Sequence, residues 1–307
     1  MSGGAPRPGA DPPPPAVAAA VATALAEDLL PLGDLTASLV DPSIVVSAVI
    51  ASRSAGVLAG RACAEETFRR VDPAVVLDWA CSDGDLLAPA QVVCALEGPL
   101  CSLLSAERTA LNFLCHLSGV ATLTHRFVEA VRGASASARV LDTRKTTPGL
   151  RALEKAAVRA GGGTNHRGSL SEAVLVKDNH LAGLGIADAV GAARRAWPGR
   201  MVEVECDRED QVVEAVEAHA TVVLLDNMSP EQVARCVALV AARAQGSAAP
   251  LIEVSGGVTL ATAPLYAAAG ADLISAGMLT HSAPVLDLGL DVEAGGGAGP
   301  LDRPAGS

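Results

Sequence analysis

The basic residues of this chain are concentrated in one stretch, from Arg139 to His180. All three lysines of the 307-residue sequence lie there, together with five arginines and only four acids. The whole chain has a formal net charge of −11, so this stretch is a positive region in an acidic protein. Such a local field favours binding of an anionic small molecule. The candidate ligands are the cations that stand where apolar runs give way to Gly, Pro, Thr or Asn: Arg144, Lys145, Arg167 and Lys177.

Three further cations in this stretch have helical spacing. Arg151, Lys155 and Arg159 follow one another at intervals of four residues, in a helix that begins near Pro148. Residues four apart lie on the same face of a helix. The sequence therefore predicts that these three form a solvated helix face, separate from the anion site.

The elements that must position these cations alternate between strand and helix. From Val140 onward, short aliphatic runs at 140–143, 173–178, 201–206, 221–227, 251–257 and 272–277 are separated by helical patterns near 148–160, 186–196, 208–218, 230–244 and 260–268. This alternation is typical of a parallel sheet. Nearly every strand ends in a polar or glycine signature, which favours an α/β barrel with its chemistry at the carboxyl ends of the strands.

Other strand ends supply complementary groups. Glu205 and Asp226 end successive strands, where two carboxylates suit a Mg2+ ion that is bound mainly to substrate phosphates. The loops after the last two strands commonly bind phosphate through backbone N–H groups in such barrels. The predicted site comprises Thr143, Arg144, Lys145, His166, Arg167, Lys177, Glu205, Asp226, Ser255, Gly256, Gly257, Ala276, Gly277 and Met278.

The composition excludes several classes of protein. The chain is acidic and only 2% aromatic, which argues against nucleic-acid binding because that requires basic and stacking side chains. No apolar run is long enough for a transmembrane helix. Seven cysteines, odd in number and without C-x2-C spacing, indicate reduced and mostly buried thiols in a cytoplasmic protein.

The N-terminal half has a different pattern. A disordered Gly/Pro-rich leader is predicted over 1–15, followed by an amphipathic helix to Leu30; Pro12 to Pro15 before it and Glu27 and Asp28 after it argue against an export signal. Strands are predicted at 44–52, 75–81 and 91–97. The segment 105–132 is helical, with Gly119 bending or dividing it. The Gly/Pro-rich tail at 293–307 is predicted to be disordered.

Several motifs closely resemble one enzyme family. DTRKTTPGLRALEKAAVRAGGGTNHR, VLVKDNH, VEVE, LLDN, EVSGG and LTHS, with GDLT, AGVLAG and ERTALNFLCHLSGVAT in the N-terminal half, resemble quinolinate phosphoribosyltransferase, the decarboxylating nicotinate-nucleotide pyrophosphorylase. The resemblance spans about residues 20 to 292. Two departures are a glycine at 168 rather than 169 and Met278 in place of a smaller residue.

The resemblance implies a fold and domain boundaries. It implies an N-terminal, open β-sandwich-like α+β domain at 16–117 with a returning segment near 284–292, and an incomplete, seven-stranded α/β barrel at 118–283. Only six barrel strands are recognisable in the sequence, so the GGGTNHR segment is expected to supply or replace the seventh.

The resemblance also implies the reaction and the roles of residues. Phosphoribosyl pyrophosphate and quinolinate would react with Mg2+ to give nicotinate mononucleotide, pyrophosphate and CO2, in NAD biosynthesis. Four cations would bind the two carboxylates, Lys145 would reach the pyrophosphate, and two acids would hold the metal and ribose. A homodimer with shared active sites, or a trimer of such dimers, would supply Arg108 from a neighbouring subunit. The carboxylate-binding cations would be Arg144, His166, Arg167 and Lys177.

Three other functions remain open from the sequence. The molybdenum-locus paralogue of the same fold shares much of the barrel pattern. A Schiff-base lyase would use Lys177 at its strand end. A catalytically silent barrel would serve as a binding or assembly subunit. The complete set of cations and acids argues against all three, since none of them would need the whole set.

Overall fold

A computed structural model describes residues 11–181, 183–244 and 249–292. The predicted tail and the first ten residues of the predicted leader lie outside these ranges. The first helix, α1 (Pro14–Leu29), begins two residues before the predicted boundary, inside the proline run. Proline is well suited to the first helical turn, where its missing N–H has no intrahelical partner. As predicted, α1 is amphipathic, and it buries Val17, Val21 and Leu25.

The N-terminal part is built on an antiparallel sheet of four strands. These are β1 (Val45–Ser52), β3 (Val76–Trp79), β5 (Val92–Pro99) and β12 (Leu288–Val292), in the spatial order β12-β1-β5-β3. The last strand therefore returns from the far end of the chain to pair with β1. A smaller sheet joins β2 (Gly56–Val57) to β4 (Leu86–Leu87). The helix α2 (Arg61–Val71) packs with the next helix over a buried cluster that includes Ile50, Phe68, Leu103 and Leu114.

One long helix, α3 (Leu100–Ala134), runs from the N-terminal sheet to the barrel. The prediction that Gly119 divides it is wrong, because the 35-residue helix is continuous. Glycine is needed at position 119 for packing, because a Cβ there would stand 2.1 Å from the carbonyl oxygen of Pro284. The glycine therefore permits close packing of the returning chain against the helix.

The C-terminal part is a six-stranded parallel sheet. Its strands are β6 (Arg139–Leu141), β7 (Val174–Val176), β8 (Val202–Cys206), β9 (Val222–Asp226), β10 (Leu251–Ser255) and β11 (Leu273–Ser275), in the order β6-β11-β10-β9-β8-β7. The helices are α4 (Arg151–Ala160), α5 (Ile186–Ala196), α6 (Glu209–Glu217), α7 (Pro230–Arg243), α8 (Ala263–Ala268) and α9 (Met278–His281). All six strands predicted from the sequence are confirmed.

The barrel is incomplete. Its edge strands are β6 and β7, and beyond β6 the chain makes a single parallel bridge between Leu141 and Thr164. Thr164 lies in the GGGTNHR segment, which therefore takes the place of the seventh strand with one bridge only. The segment lies close to the carboxyl ends of the strands, where its side chains His166 and Arg167 line a cavity.

Two predictions about the chain as a whole concern membranes and thiols. Within the described ranges no helix, α3 included, combines the length and the apolar character that a membrane crossing requires. All seven cysteines are free thiols, and five of them are buried. Burial raises the pKa of Cys63, Cys94 and Cys206 to about 12.

Candidate active site

A cavity of about 520 Å³ lies at the carboxyl ends of the barrel strands. Eleven predicted residues line it: Thr143, Arg144, Lys145, His166, Arg167, Lys177, Glu205, Asp226, Ser255, Gly256 and Gly257. Five residues that the sequence did not single out complete the lining: Leu175, Leu224, Asn227, Glu253 and Ser275. The fold therefore brings together cations, acids and a glycine loop from five strand ends and the segment after α4.

Four predicted residues do not line this cavity. Arg108 is exposed on α3 in the N-terminal part. The amide of Ala276 donates to the carbonyl of Leu141 at 3.0 Å, so it is already engaged within the fold. Gly277 lies beside Lys145, since a Cβ there would stand 3.1 Å from the Lys145 Cδ. Met278 begins the short helix α9. Their functional roles stay predictions.

The loop after β6, residues 143–147 and here called the first loop, presents Arg144 and Lys145 to the cavity. The Lys145 amide donates to Thr143 Oγ1 at 3.0 Å, and the Lys145 carbonyl accepts from Thr280 Oγ1 at 2.8 Å. Neither the Arg144 nor the Lys145 side chain makes a hydrogen bond to any residue in the described part of the chain. The backbone is thus held while both charged side chains remain available to a ligand.

The segment after α4, residues 161–167 and here called the second loop, presents His166 and Arg167. Its glycines allow close approach to α3, since a Cβ on Gly161 would stand 2.3 Å from the Ala121 carbonyl oxygen. The neighbouring Gly162 has a φ of +90°, a conformation that favours glycine. This close packing places the following polar residues at the cavity.

The prediction of a solvated face on α4 is wrong. Lys155 is only 6% exposed and forms an ion pair with the buried Asp142. Arg151 donates to Thr146 Oγ1 at 3.0 Å, and Arg159 donates to Asn165 Oδ1 at 2.5 Å. All three side chains contact polar groups at or beside the two loops. Helical spacing correctly placed them on one face, but only the fold shows that this face packs against the site.

His166 sits above two buried glutamates. Its Nε2 lies 3.1 Å from Glu203 Oε2 and 3.5 Å from Glu253 Oε1. Burial lowers the pKa of His166, but the hydrogen bond to Glu203 and the charges of both glutamates raise it by more, so the pKa lies above its ordinary value. Burial and the Glu203 charge raise the pKa of Glu253 to about 7. A protonated His166, one charged glutamate and one neutral glutamate would make this cluster electrically neutral.

Sequence reasoning missed Glu203 and Glu253, although a signal was present. Each stands inside an aliphatic strand, two residues before a predicted strand-end residue, Glu205 or Ser255. Alternate residues of a strand point to the same face. An acid two places before a rim residue therefore points to a second, deeper layer of polar residues below the rim.

Arg144 and Arg167 both line the cavity, and their like charges interact. Arg167 donates to the carbonyl of Ala173 at 2.9 Å, which orients its guanidinium. Burial, and secondly the like charge of Arg144, lower the pKa of Arg167 from its ordinary value. Two guanidinium groups that repel each other are stabilised when a ligand with two negative charges lies between them.

The acids lie on neighbouring strands. Glu205 of β8 accepts a hydrogen bond from Lys177 Nζ in an ion pair, and Asp226 of β9 accepts from Asn227 Nδ2 at 2.6 Å. Both carboxylates are partly exposed to the cavity. A second set of potential metal ligands within the described residues comprises His166, Glu203 and Glu253, with ligand atoms within 4.8 Å of one another. Mg2+ prefers oxygen ligands, so the partly exposed pair suits it better than a set that includes histidine.

The loop after β10 has the backbone of an anion-binding loop. Gly256 has a φ of +88°, and a Cβ there would stand 2.3 Å from Asn227 Oδ1. Gly257 has a φ of +59° and open space where its Cβ would be. Glycine is therefore required at 256, and at 257 the φ favours it and the missing side chain leaves the backbone uncovered.

The two halves of the chain match the two domains of one protein family. Residues 34–118 match the family described as quinolinate phosphoribosyl transferase, N-terminal domain, and residues 120–291 match the C-terminal domain of the same family. Over 85% of this chain and 88% of the relative, the sequence is 43% identical to the probable nicotinate-nucleotide pyrophosphorylase [carboxylating] of Bacillus subtilis.

A second relative and a solved structure are similarly close. The nicotinate-nucleotide pyrophosphorylase [carboxylating] of Mycobacterium leprae is 43% identical over 88% of this chain and 94% of the relative. The solved structure of the nicotinate-nucleotide pyrophosphorylase from Francisella tularensis superposes with a TM-score of 0.87 at 36% identity, covering 92% of this chain and 98% of that one. The similarity therefore extends over nearly the whole of both proteins.

Proposed function

We propose how this chain, which belongs to the quinolinate phosphoribosyltransferase family, carries out the reaction of that family. The enzyme transfers the phosphoribosyl group of phosphoribosyl pyrophosphate to quinolinate in NAD biosynthesis, releasing pyrophosphate and CO2 and forming nicotinate mononucleotide. The relatives' names, which specify carboxylation, describe the same conversion in reverse. The roles of individual residues are the proposal.

The observation that carries the substrate assignment is the surplus of cations in one cavity. Arg144, His166, Arg167 and Lys177 all line it, and the two arginines repel each other. One carboxylate cannot neutralise this set, whereas the two carboxylates of quinolinate suit it. We assign these four residues to quinolinate.

The phosphoribosyl pyrophosphate is assigned to other groups of the same cavity. Lys145 has a free ammonium group there and would bind the pyrophosphate. The backbone of Ser255 to Gly257 would bind the 5′-phosphate, because glycines at 256 and 257 leave the amides accessible. The segment 276–278 would contribute beside Lys145 through Gly277 and Met278 rather than through the engaged amide of Ala276.

A magnesium ion fits the donor set at this rim. Glu205 and Asp226 offer two partly exposed carboxylates on adjacent strands, and Mg2+ bound to substrate phosphates needs only one or two such ligands. When bound, the ion would neutralise charge on the departing pyrophosphate. Both acids would also bind the ribose hydroxyls.

The chemistry follows from the charges of the chain's own side chains. Departure of pyrophosphate leaves an oxocarbenium-like ribosyl carbon, and the Lys145 ammonium stabilises the leaving charge. The ring nitrogen of quinolinate attacks this carbon and becomes cationic. That positive charge stabilises the electron pair left on the ring carbon when the adjacent carboxylate departs as CO2, and this carbon then takes up a proton from water. The cations hold the ring in line with the ribosyl carbon during both steps.

A homodimer with shared active sites is the proposed assembly, alone or as a trimer of dimers. Arg108 lies outside the cavity of its own chain, exposed on α3. The segment after α1 exposes Leu30, Leu32, Leu35 and Leu39 by 64% or more, an apolar surface that a second subunit would cover. Burial of this surface would bring the N-terminal part of one subunit to the cavity of the other.

A cytoplasmic location is the proposal that agrees best with the thiols. The seven cysteines are all unpaired, and five are buried. Proteins of oxidising compartments commonly use cysteines as disulfides, whereas cytosolic proteins keep them reduced. No membrane or nucleic-acid partner is part of the proposal.

One assay tests the reaction and its specificity. Purified protein with Mg2+ and phosphoribosyl pyrophosphate should form nicotinate mononucleotide from quinolinate and essentially none from nicotinate, because without the second carboxylate the like charges of Arg144 and Arg167 would lack a counter-charge. Comparable turnover of nicotinate would overturn the assignment. Borohydride should not trap a covalent adduct at Lys177, because the side-chain nitrogen is engaged in an ion pair with Glu205.

A further inference from the structure

We propose that Glu154 and Lys155, adjacent residues of α4, are positioning residues that each hold a different loop of the active site. Glu154 holds the first loop, which carries Arg144 and Lys145, and Lys155 holds the second loop, which carries His166 and Arg167. The identity of the ligand that each loop binds rests on the proposed function. The contacts of Glu154 and Lys155 with the loops do not depend on that function.

Glu154 anchors the first loop to α3. Its side chain is completely buried, and its Oε2 accepts a hydrogen bond from the amide of Thr147 at 3.0 Å. Its Oε1 lies 2.9 Å from Nε2 of His116, a residue of α3. One buried carboxylate therefore joins the backbone two residues after Lys145 to the long helix that supports the barrel.

Lys155 anchors the second loop to α4. Its ammonium donates to the carbonyl of His166 at 2.8 Å and forms an ion pair with Asp142. Asp142 in turn accepts from the amide of His166 at 2.9 Å and from Asn165 Nδ2 at 2.5 Å. Both backbone polar groups of His166 are thus bound by the two members of one buried ion pair.

The two anchors act on separate contacts. Consecutive residues of a helix point in directions about 100° apart, and no hydrogen bond joins the Glu154 set to the Lys155 set among the residues the structure describes. Arg151, one turn earlier, does contact both regions: its guanidinium donates to the Arg144 carbonyl at 3.3 Å and to the Gly168 carbonyl at 3.2 Å. Arg151 is therefore left unchanged in the test.

Burial of a charged side chain lowers the free energy of unfolding unless its partners are well placed. Two adjacent buried charged residues in one helical turn therefore indicate a specific role for their contacts. Here each charge binds backbone groups of a loop that carries two of the cavity's cations. Small displacements of catalytic or binding groups strongly reduce rates. The fixed geometry of α4 thus limits the movement of all four cations relative to the strands.

Steady-state kinetics with both substrates test the proposal. Glu154→Met removes the acceptor for the Thr147 amide at similar side-chain volume, and it should raise the KM for phosphoribosyl pyrophosphate about tenfold. The KM for quinolinate should rise as well, because the first loop also carries Arg144. Glu154→Gln keeps an oxygen that accepts from Thr147, so it should restore both values to within about twofold of the original protein.

The second loop should respond differently. Lys155→Met leaves the buried Asp142 carboxylate unpaired, which threatens folding. The double variant Asp142→Asn, Lys155→Met removes that charge and keeps the chain folded. It should raise the KM for quinolinate about tenfold while the KM for phosphoribosyl pyrophosphate stays within about twofold.

Amide hydrogen exchange supplies a readout that does not depend on activity. The Glu154→Met variant should exchange faster at 144–147 and unchanged at 165–167, and the double variant should show the opposite pattern. Equal changes in both loops, or unchanged KM values and exchange in both folded variants, would overturn the positioning proposal. Failure of the unaltered protein to form nicotinate mononucleotide would overturn the proposed function alone, because exchange still tests the contacts.

Discussion

Lys177 and Glu205 form an ion pair between the ends of two adjacent strands, β7 and β8. The proposed function assigns these two residues to different reactants: Lys177 to a carboxylate of quinolinate, and Glu205 to the metal and ribose of phosphoribosyl pyrophosphate. On that assignment, binding of either reactant would weaken the ion pair and release the partner for the other. The pair would then couple the binding of the two reactants, and such coupling is reciprocal in free energy.

The first prediction concerns the two rim acids. Glu205→Gln and Asp226→Asn should each weaken metal-dependent binding of phosphoribosyl pyrophosphate by tenfold or more, on the order of 1.4 kcal/mol, because each removes a charged oxygen ligand. Isothermal titration with and without Mg2+ measures this. Glu217→Gln alters an exposed acid paired with Arg243 on the outer helices and serves as the control. Activity that is indifferent to EDTA would contradict the metal assignment.

The second prediction concerns Arg108 and the shared active site. Arg108→Ala and Lys145→Ala should each be inactive as homodimers, because each lacks one group at every site. After the two variants are unfolded and reassociated in equal amounts, about half of the dimers are mixed and each has one intact site, which restores about a quarter of normal activity.

The control for this experiment is another arginine of the same helix. Arg126 is also exposed on α3, and Arg126→Ala should keep full activity. Demonstrated subunit exchange without recovered activity would place Arg108 within its own chain's site or outside any site.

The third prediction concerns pH and the buried Glu253. Its pKa in the folded state is about 7, above the ordinary value of 4.5. Between these two pH values the folded protein therefore keeps a proton on Glu253 that the unfolded chain has released. Below pH 4.5 this carboxyl does not lower the free energy of unfolding. As the pH rises from 4.5 to about 7, it lowers the free energy of unfolding by an increasing amount. Glu253→Gln should raise the melting temperature at pH 8 by the equivalent of up to about 3 kcal/mol, and by much less at pH 4.5.

The contrast for Glu253 is an exposed acid with the opposite shift. The Ser229 hydroxyl lowers the pKa of Glu231, so Glu231→Gln should not raise the melting temperature at pH 8. Thermal unfolding curves of both variants at the two pH values decide the matter. A Glu253→Gln protein that is no more stable at pH 8 than the original would show that Glu253 is ionised at no cost.

The fourth prediction concerns close backbone packing against α3. Gly119→Ala and Gly161→Ala would place a methyl group 2.1 Å from the Pro284 oxygen and 2.3 Å from the Ala121 oxygen. Each should lower the free energy of unfolding by about 1–3 kcal/mol, because backbone must shift to make room. Gly133 lies in the same helix with open space at its Cβ position. Gly133→Ala should be neutral or stabilising by up to about 1 kcal/mol, and equal losses at all three glycines would contradict the packing argument.

Much of the fold was predictable because its signals are local. Strand and helix patterns from Val140 onward depend on short-range periodicity, and the observed β6 to β11 follow them. The strand-end cations and acids were recognisable for the same reason: parallel strands bring their carboxyl ends to one edge, so Arg144, Lys177, Glu205 and Asp226 had to meet there.

Other features depended on contacts that are distant in sequence. The prediction that Gly119 divides α3 failed because glycine is needed there for the close approach of Pro284, which lies more than a hundred residues away in the sequence. The face of Arg151, Lys155 and Arg159 was misread because a charged helix face is usually solvated, and only the packing of α4 beside the two loops buries it. Glu253 reaches His166 because strand order places β10 in the middle of the sheet.

The sequence by itself determined which residues carry charge at the strand ends, and therefore the chemistry of an anionic, phosphorylated reactant pair. Those positions are set by local patterns along the chain. Only the tertiary structure decided which cations are free to bind ligands and which are engaged within the protein. Lys145 and Lys155 lie ten residues apart in one basic stretch, yet one faces the cavity and the other is buried beside Asp142. Burial and pairing are properties of the packed whole, so no local pattern distinguishes the two lysines.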